Sequence, residues 1–159
     1  MQITVLCVGK IKEKFFRDAL DEYSKRLSRY CRLKIVECDD EKTPDSASDR
    51  VCEQILAKEG ERLKRHITDD AYVIALAIEG KKYDSVAFSD KLNSLAVGSK
   101  SSIVFVIGGS LGICDDIKRR ADELISFSDM TFPHQLMRVI LLEQVYRAYR
   151  IMNNEPYHK

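Results

Sequence analysis

Three stretches of this sequence carry residue types that could bind a small molecule or take part in catalysis. An apolar run ends at Ile107 and leads directly into the glycine-rich turn Gly108 to Gly112, G-G-S-L-G. The loop Ser126 to Phe132, S-F-S-D-M-T-F, combines hydroxyl groups with aromatic rings, and the chain ends in P-Y-H-K. Glycines let a ligand approach the backbone closely, whereas aromatic faces and hydroxyls suit a flat heterocycle. The loop could therefore hold a flat heterocycle. Together with Leu76 to Gly80 and Gly108 to Gly112, it follows the end of a predicted strand, where ligands of open α/β sheets bind.

Each stretch also has a purely structural interpretation. Gly108 and Gly109 could simply turn a strand into a helix, because G-G-x-x-G is neither the dinucleotide fingerprint nor a Walker motif. In the second stretch, Phe127 and Phe132 could fill the core while the hydroxyls cap the following helix, with Thr131 as its N-cap. Residue types alone leave both interpretations open.

The C-terminal tail, E-P-Y-H-K, places an aromatic ring, an imidazole and an ammonium group side by side. Tyr157 could stack on a nucleobase, while His158 and Lys159 could face phosphate or a reacting base. Chain ends are usually frayed, so a solvated tail is the alternative.

Composition limits the class of protein. The 159 residues suffice for one domain with a proper core, and an apolar content of 45% argues against disorder. The net charge of +1 gives no global nucleic-acid signal, so RNA binding would require a local patch. Five cysteines without a C-x-x-C pair indicate reduced thiols, with neither a disulfide frame nor a metal site. Without a signal peptide or membrane-spanning run, we expect a soluble cytoplasmic protein.

Hydrophobic periodicity predicts alternating strands and helices. Strands are expected at Ile3–Val8, Leu33–Cys38, Tyr72–Ile78, Ile103–Ile107 and Leu124–Phe127. Helices are expected around Phe15–Leu27 and at Val51–His66, Ala87–Leu95, Ile113–Leu124 and Pro133–Met152. This alternation predicts a single α/β domain with a largely parallel sheet.

The last predicted helix is apolar around most of its circumference. A helix of this kind must be buried on more than one side, which suggests packing against its own sheet and a second subunit. His134 in its first turn fits a structural histidine, because the helix dipole disfavours the charged ring. Arg138 fits a long stem beneath an exposed charge.

Several motifs give the chain a family resemblance over essentially its whole length. They are E-Y-S-K-R-L at Glu22 to Leu27, I-E-G-K at Ile78 to Lys81, F-V-I-G-G-S-L-G at Phe105 to Gly112, M-T-F-P-H-Q-L-M-R-V-I-L-L-E-Q-V-Y-R-A at Met130 to Ala148, and the closing P-Y-H-K. With these motifs the chain resembles the RlmH-type methyltransferases of large-subunit ribosomal RNA, in the SPOUT superfamily.

The resemblance implies a parallel α/β fold with a C-terminal trefoil knot, a homodimer, and S-adenosylmethionine as the methyl donor without any metal. It implies methylation of N3 of a pseudouridine in 23S ribosomal RNA within the assembled ribosome. By the same resemblance, the cofactor site is lined by Leu76, Gly108, Gly109, Phe127, Ser128, Asp129, Met130, Thr131 and Phe132.

The resemblance also suggests roles for residues outside the cofactor loops. The tail of one subunit would reach the cofactor pocket of the other, with Tyr157 positioning the base and His158 acting as acid-base or anion-stabilising group. Arg138 would anchor RNA phosphate or organise the active-site wall. Two other functions stay open: a non-enzymatic ribosome-binding module using the basic first helix, and an oxidoreductase, which the glycine spacing disfavours.

Overall fold

The computed structural model describes residues 1–159 and contains five strands that alternate with five helices. The strands are β1 (Gln2–Val8), β2 (Arg32–Cys38), β3 (Tyr72–Lys82), β4 (Ser102–Ile107) and β5 (Glu123–Ser126). The helices are α1 (Lys14–Leu27), α2 (Asp49–Lys64), α3 (Ser85–Val97), α4 (Asp115–Arg120) and α5 (His134–Met152).

All five strands pair in parallel in the order β2-β1-β4-β3-β5. In this register Ile3 of β1 lies opposite Leu33 of β2 on one side and Ile103 of β4 on the other. Because parallel strands need crossover connections, a helix separates each strand from the next. The predicted single-domain α/β fold with a parallel sheet is confirmed.

The sheet is buried on both faces, which explains why its central strands contain long apolar runs instead of an alternation of apolar and polar residues. Along β4, the side chains of Ile103, Phe105 and Ile107 enter one core cluster, and those of Val104 and Val106 enter another. The first cluster includes apolar residues of α1, α3 and α5, and the second includes those of α2 and α4. The domain is therefore a three-layer sandwich.

Helix α5 lies between α1 and α3 in its layer. Its residues facing the sheet, Leu141, Leu142, Val145 and Ala148, are fully buried. Contacts with α1 and α3 thus bury part of the apolar surface of α5 that the sequence analysis attributed to contact with a second subunit. No helix, α5 included, is long and apolar enough to cross a membrane. The prediction that Thr131 is the N-cap of α5 is wrong. Pro133 occupies that position, and no side chain caps the helix.

Helix α4 is shorter than the predicted Ile113–Leu124, because Asp122 pairs with β3 instead of continuing the helix. Its backbone N–H donates to the Val73 carbonyl at 2.8 Å, and its carboxylate accepts from the Val73 N–H at 2.7 Å. Ala121 accordingly has an extended backbone, and the chain enters β5 at Glu123.

Strand β3 continues past its predicted end at Ile78. Ile125 of β5 is paired with both Leu76 and Lys81, so the residues between those two bulge out of the ladder. A Cβ on Gly80 would lie 2.5 Å from the Ile125 carbonyl carbon, so only glycine fits at the end of this bulge. The bulge carries Ala77, Ile78 and Glu79 towards the carboxyl edge of the sheet.

Candidate ligand-binding and catalytic site

A cavity of about 320 Å³ opens at the carboxyl ends of β3, β4 and β5. We call it the first cavity. Its walls are the β3 bulge, the glycine turn, the loop before α5 and the first turn of α5: Leu76–Glu79, Ile107–Gly109, Leu111–Ile113, Lys118, Ile125–Ser128, Met130–Phe132, His134 and Met137. Ligands of open α/β sheets bind at this edge. All of the predicted cofactor residues except Asp129 line this one cavity.

The glycine turn is curled tightly on itself. The Gly112 N–H donates to the Gly109 carbonyl at 3.0 Å, and Gly112 has a left-handed backbone with φ of 84°. A Cβ on Gly108 would collide with the Gly112 carbonyl. A side chain at Gly108 would therefore open the turn that forms one wall of the first cavity.

The hydroxyl groups before α5 divide into two kinds. Ser126 donates to the Ser128 carbonyl at 3.0 Å, and the Ser128 hydroxyl accepts from the Met130 N–H at 3.0 Å. These two hydroxyls therefore shape the loop itself. Thr131, in contrast, lines the cavity and caps no helix, so its hydroxyl is available to a ligand.

The aromatic residues of this loop line the cavity, and one of them also packs against the core, as the ligand-binding and the structural interpretations of the sequence each predicted. Phe127 packs edge-on against Phe88 of the core at 6.3 Å, and it also lines the first cavity. Phe132 lines the cavity as well. Asp129 points elsewhere and forms an exposed ion pair with Lys82 at 2.5 Å.

Charged and titratable groups of the cavity wall were not predicted as site residues. Lys118 pairs with Glu79 at 2.5 Å, and its hydrogen bond lowers the pKa of that carboxyl. His134, interpreted as structural, lies on the cavity wall. Burial and the nearby Arg138 charge lower the pKa of its imidazole, so the ring is neutral at pH 7. The I-E-G-K motif directly after a strand was a signal for Glu79, whereas nothing in the sequence indicated Lys118.

Arg138 is 1% exposed, which contradicts both its interpretation as an exposed charge and its role as an RNA phosphate anchor. Its guanidinium donates to Glu37 at 2.9 Å and to the carbonyls of Val8 and Gly9 at 3.0 and 2.8 Å. These bonds tie the second turn of α5 to the ends of β1 and β2. Arg138 therefore organises the wall that carries His134 and Met137.

A second, wider cavity of about 640 Å³ lies on the other side of the loop before α5. The two cavities share Ile125, Ser126, Phe127 and Phe132. His158 lines the second cavity, but no residue of the tail lines the first. Within one chain, the tail thus lies at the second cavity, and the shared loop stands between it and the first cavity.

The side chains of the tail lie against α5. Tyr157 packs edge-on against Tyr146 at 5.0 Å and lies beneath the Arg147 guanidinium at 4.7 Å. Its hydroxyl donates to Glu143 at 3.1 Å. Burial, followed by the Glu143 charge, raises the Tyr157 pKa to about 12, so this hydroxyl is protonated at neutral pH.

The His158 imidazole has one polar contact, between Nδ1 and an Arg147 guanidinium nitrogen at 3.3 Å. A guanidinium can only donate, so Nδ1 accepts and the neutral ring carries its proton on Nε2. The exposed edge of His158 is then a hydrogen-bond donor.

No group of three or more His, Cys, Asp or Glu side chains could hold a metal ion. The five cysteines are free.

A parallel α/β sheet with an apolar cavity at its carboxyl edge, closed by a glycine turn, defines a class of small-molecule-binding proteins. Within that class the chain belongs to the SPOUT methyltransferase family: residues 1–158 match the family model described as "Predicted SPOUT methyltransferase". The predicted family and the prediction of a methyltransferase are confirmed.

Curated relatives match along the full length. The chain is 63% identical over 159 residues to "Ribosomal RNA large subunit methyltransferase H" of Bifidobacterium adolescentis, covering 100% of both chains. It is 55% identical, with the same coverage, to the protein of that name from Clostridium kluyveri. Among solved structures, a probable methylase family protein from Haemophilus influenzae matches with a TM-score of 0.54 and 12% identity, covering 99% of this chain and 70% of that chain. That likeness concerns the fold alone.

Proposed function

We propose that this chain transfers a methyl group from S-adenosylmethionine to N3 of a pseudouridine in 23S ribosomal RNA, within assembled ribosomes in the cytoplasm. Membership of the SPOUT methyltransferase family supports methyl transfer, and the names of the full-length relatives support ribosomal RNA of the large subunit as substrate. One observation carries the proposal: the β3 bulge, the glycine turn and the loop before α5 all line the same cavity.

The size and lining of the first cavity support S-adenosylmethionine as its ligand. Its volume of about 320 Å³ lies at the small end of the range of ligand pockets, and 11 of its 20 lining residues are hydrophobic, as a largely apolar site requires. Phe127 and Phe132 offer apolar surface to a heterocycle, and Thr131 offers a free hydroxyl. The neutral His134 avoids placing a positive charge beside a sulfonium cation.

S-adenosylmethionine would supply an electrophilic methyl group to the pseudouridine. In the reaction N3 would release its proton to solvent and form a bond to the methyl carbon, while the bond from sulfur to that carbon breaks and neutral S-adenosylhomocysteine leaves. Much of the acceleration would come from orientation. His158, with its proton on Nε2, is suited to donate to a base oxygen and so stabilise the N3 anion. Tyr157, protonated at neutral pH, would position the base.

A homodimer would bring the tail of one subunit to the first cavity of the other. Large apolar residues are exposed at the cavities: Ile78 and Met130 at the first are 53% and 73% exposed, and Val86 at the second is 45% exposed. Exposed apolar residues grouped around functional cavities are typical of surfaces that a partner covers.

The trefoil knot implied by the family belongs to the same proposal. One close backbone approach between segments far apart in the chain supports it, at Gly80 beside Ile125. Chain segments threaded past one another would require such glycines.

Methyl transfer from labelled S-adenosylmethionine to intact ribosomes, compared with free RNA, tests the function. We expect incorporation into ribosomes, at one pseudouridine when the modified nucleotide is mapped. Salt-sensitive ribosome binding without methyl transfer or cofactor affinity would instead favour a non-enzymatic binding module.

The variant Gly108→Ala tests the location of the cofactor site. Its Cβ would collide with the Gly112 carbonyl, and overpacking of this kind costs about 1–3 kcal/mol. We expect calorimetry to show S-adenosylmethionine binding weakened about tenfold or more. Gly98→Ala is the matched control, because Gly98 ends α3 with a φ of −74°, which alanine can adopt, and does not line the cavity. Equal affinities for both variants would contradict this site.

The affinity for S-adenosylmethionine should depend on the charge of His134. Its folded-state pKa is below the ordinary 6.5, so affinity should be constant at higher pH and fall only as the pH drops through this lowered value. The decrease should not exceed about tenfold per pH unit for one proton. The nearest charges are those of Arg138, Asp40 and Glu13, and Glu79 is ionised across this range. Calorimetry between pH 8 and 5.5 measures the profile, and the control His134→Asn should flatten it.

A further inference from the structure

The chain reverses direction immediately after α5. The amides of Asn153, Asn154 and Glu155 donate to the carbonyls of the last helical turn at distances of 3.1, 3.0 and 2.9 Å. Asn154 has a left-handed backbone with φ of 53°, a conformation that asparagine tolerates well. As a result, the tail does not extend into solvent but runs back along α5.

A cluster of three side chains holds the base of this tail, and we call Tyr30, Arg150 and Glu155 the tail clamp. The Tyr30 hydroxyl and an Arg150 guanidinium nitrogen both donate to the same oxygen of Glu155. The other terminal nitrogen of Arg150 donates to the Pro156 carbonyl at 3.0 Å. Arg150 thus binds both the side chain and the backbone of the tail, which its planar fork permits.

The clamp is itself held in place by the rigid part of the domain. The Tyr30 ring stacks on Tyr149 of α5 with 5.3 Å between centroids and 12° between planes. Arg150 and Glu155 are 17% and 26% exposed, so their ion pair is partly shielded from solvent. Arg29 adds a weaker contact to Glu155 at 3.9 Å. The clamp therefore joins the turn after α1, the last turns of α5 and the tail.

Beyond the clamp, the backbone of the tail is free. The Pro156 carbonyl is the last backbone atom with a hydrogen bond. Tyr157 and His158 are held by side-chain contacts alone, to Glu143, Tyr146, Arg147 and Tyr23. The point from which the last three residues run back along α5 is consequently set at Glu155 and Pro156.

We propose that the tail clamp positions Tyr157 and His158 for methyl transfer. This inference rests on the proposed function for its catalytic consequence. Tyr30, Arg150 and Glu155 are positioning residues, because none of them lines either cavity. Loss of the clamp leaves the cofactor site intact and lets the two tail residues sample orientations that do not support the reaction.

The test uses the full-length protein with Tyr30→Phe, Glu155→Ala and Glu155→Gln. Glu22→Ala is the matched control, since Glu22 forms an exposed ion pair with Arg26 on α1 and has no contact with the tail. Carboxypeptidase release of residues 157–159, followed by mass spectrometry, reports the order of the tail without reference to activity. Methyl transfer to ribosomes gives kcat, and calorimetry gives the affinity for S-adenosylmethionine.

We expect Glu155→Ala to accelerate carboxypeptidase release about tenfold and to lower kcat about 10- to 100-fold, with cofactor affinity unchanged. Glu155→Gln, which keeps an acceptor oxygen, should have a release rate and a kcat between those of Glu155→Ala and the wild type. Glu22→Ala should match the wild type in both. Wild-type release rates in Tyr30→Phe and Glu155→Ala would overturn the clamp, as would faster release with an unchanged kcat. If the wild-type protein transferred no methyl group and Glu155→Ala still released its tail faster, the proposed function would be rejected. Only the role of the clamp in ordering the tail would then remain.

Discussion

Deletion of Tyr157 to Lys159 should reduce methyl transfer about 1,000-fold or more while leaving S-adenosylmethionine binding unchanged. The reason is geometric: no tail residue lines the first cavity, and the hydrogen bonds of Tyr157 and His158 are to Glu143 and Arg147 of α5. Its removal therefore takes nothing from the sheet or the cofactor loops. What is lost is the imidazole that would stabilise the N3 anion and the ring that would position the base.

Calorimetry and single-turnover methyl transfer to ribosomes, performed on the same preparation, separate these two effects. Tyr157→Phe is the graded comparison, because it keeps the ring against Tyr146 and loses only the bond to Glu143. We expect this variant to lose about tenfold, an effect comparable to one hydrogen bond to a charged group. Retained activity in the truncated protein would remove the tail from the mechanism.

Glu37→Gln should lower the free energy of unfolding by about 3–5 kcal/mol, because it leaves the Arg138 charge buried and uncompensated. Glu37 accepts from the Ile11 N–H at 2.7 Å, from Arg17 at 3.0 Å and from Arg138 at 2.9 Å. Burial by itself would raise the pKa of Glu37, but the Ile11 and Arg17 hydrogen bonds and the positive charges of Arg17 and Arg138 outweigh it and lower the pKa.

Urea denaturation at pH 7 measures this loss, with Glu22→Gln as the control whose midpoint should match the wild type. The pH dependence supplies a second measurement. Because the folded-state pKa of Glu37 is below its ordinary 4.5, its contribution is complete above that value and is lost as the pH falls through the lowered pKa. A Glu37→Gln protein as stable as wild type at pH 7 would contradict the structural role assigned to Arg138.

Differences between predicted and observed elements occur where a side chain or backbone group finds a distant partner. Helix α4 ends early because Asp122 bonds to Val73, which is 49 residues away in sequence. Strand β3 outlasts its apolar run because β5 pairs with both sides of its bulge. Periodicity reflects only neighbouring residues and not these distant partners. It therefore predicted the positions of the elements correctly and their ends incorrectly.

Arg138 shows the same limit at the level of function. On a helical pattern it is one arginine among apolar residues, and the usual explanation is an exposed charge. Its burial depends on Glu37 and two carbonyls at the ends of β1 and β2, about 100 or more residues earlier in the chain. The tail clamp has the same character, since Tyr30 and Glu155 are 125 residues apart.

The sequence alone determined the alternation of strands and helices, the parallel sheet, the family and the loops that line the first cavity. It could do so because apolar periodicity, glycine turns and long motifs are encoded among neighbouring residues. Only the tertiary structure decided which hydroxyl is free, that Asp129 points away, that Arg138 is buried and that His134 faces the cavity. Each of those outcomes depends on contacts between segments far apart in the chain, and such contacts exist only once the sheet has brought its strand ends together.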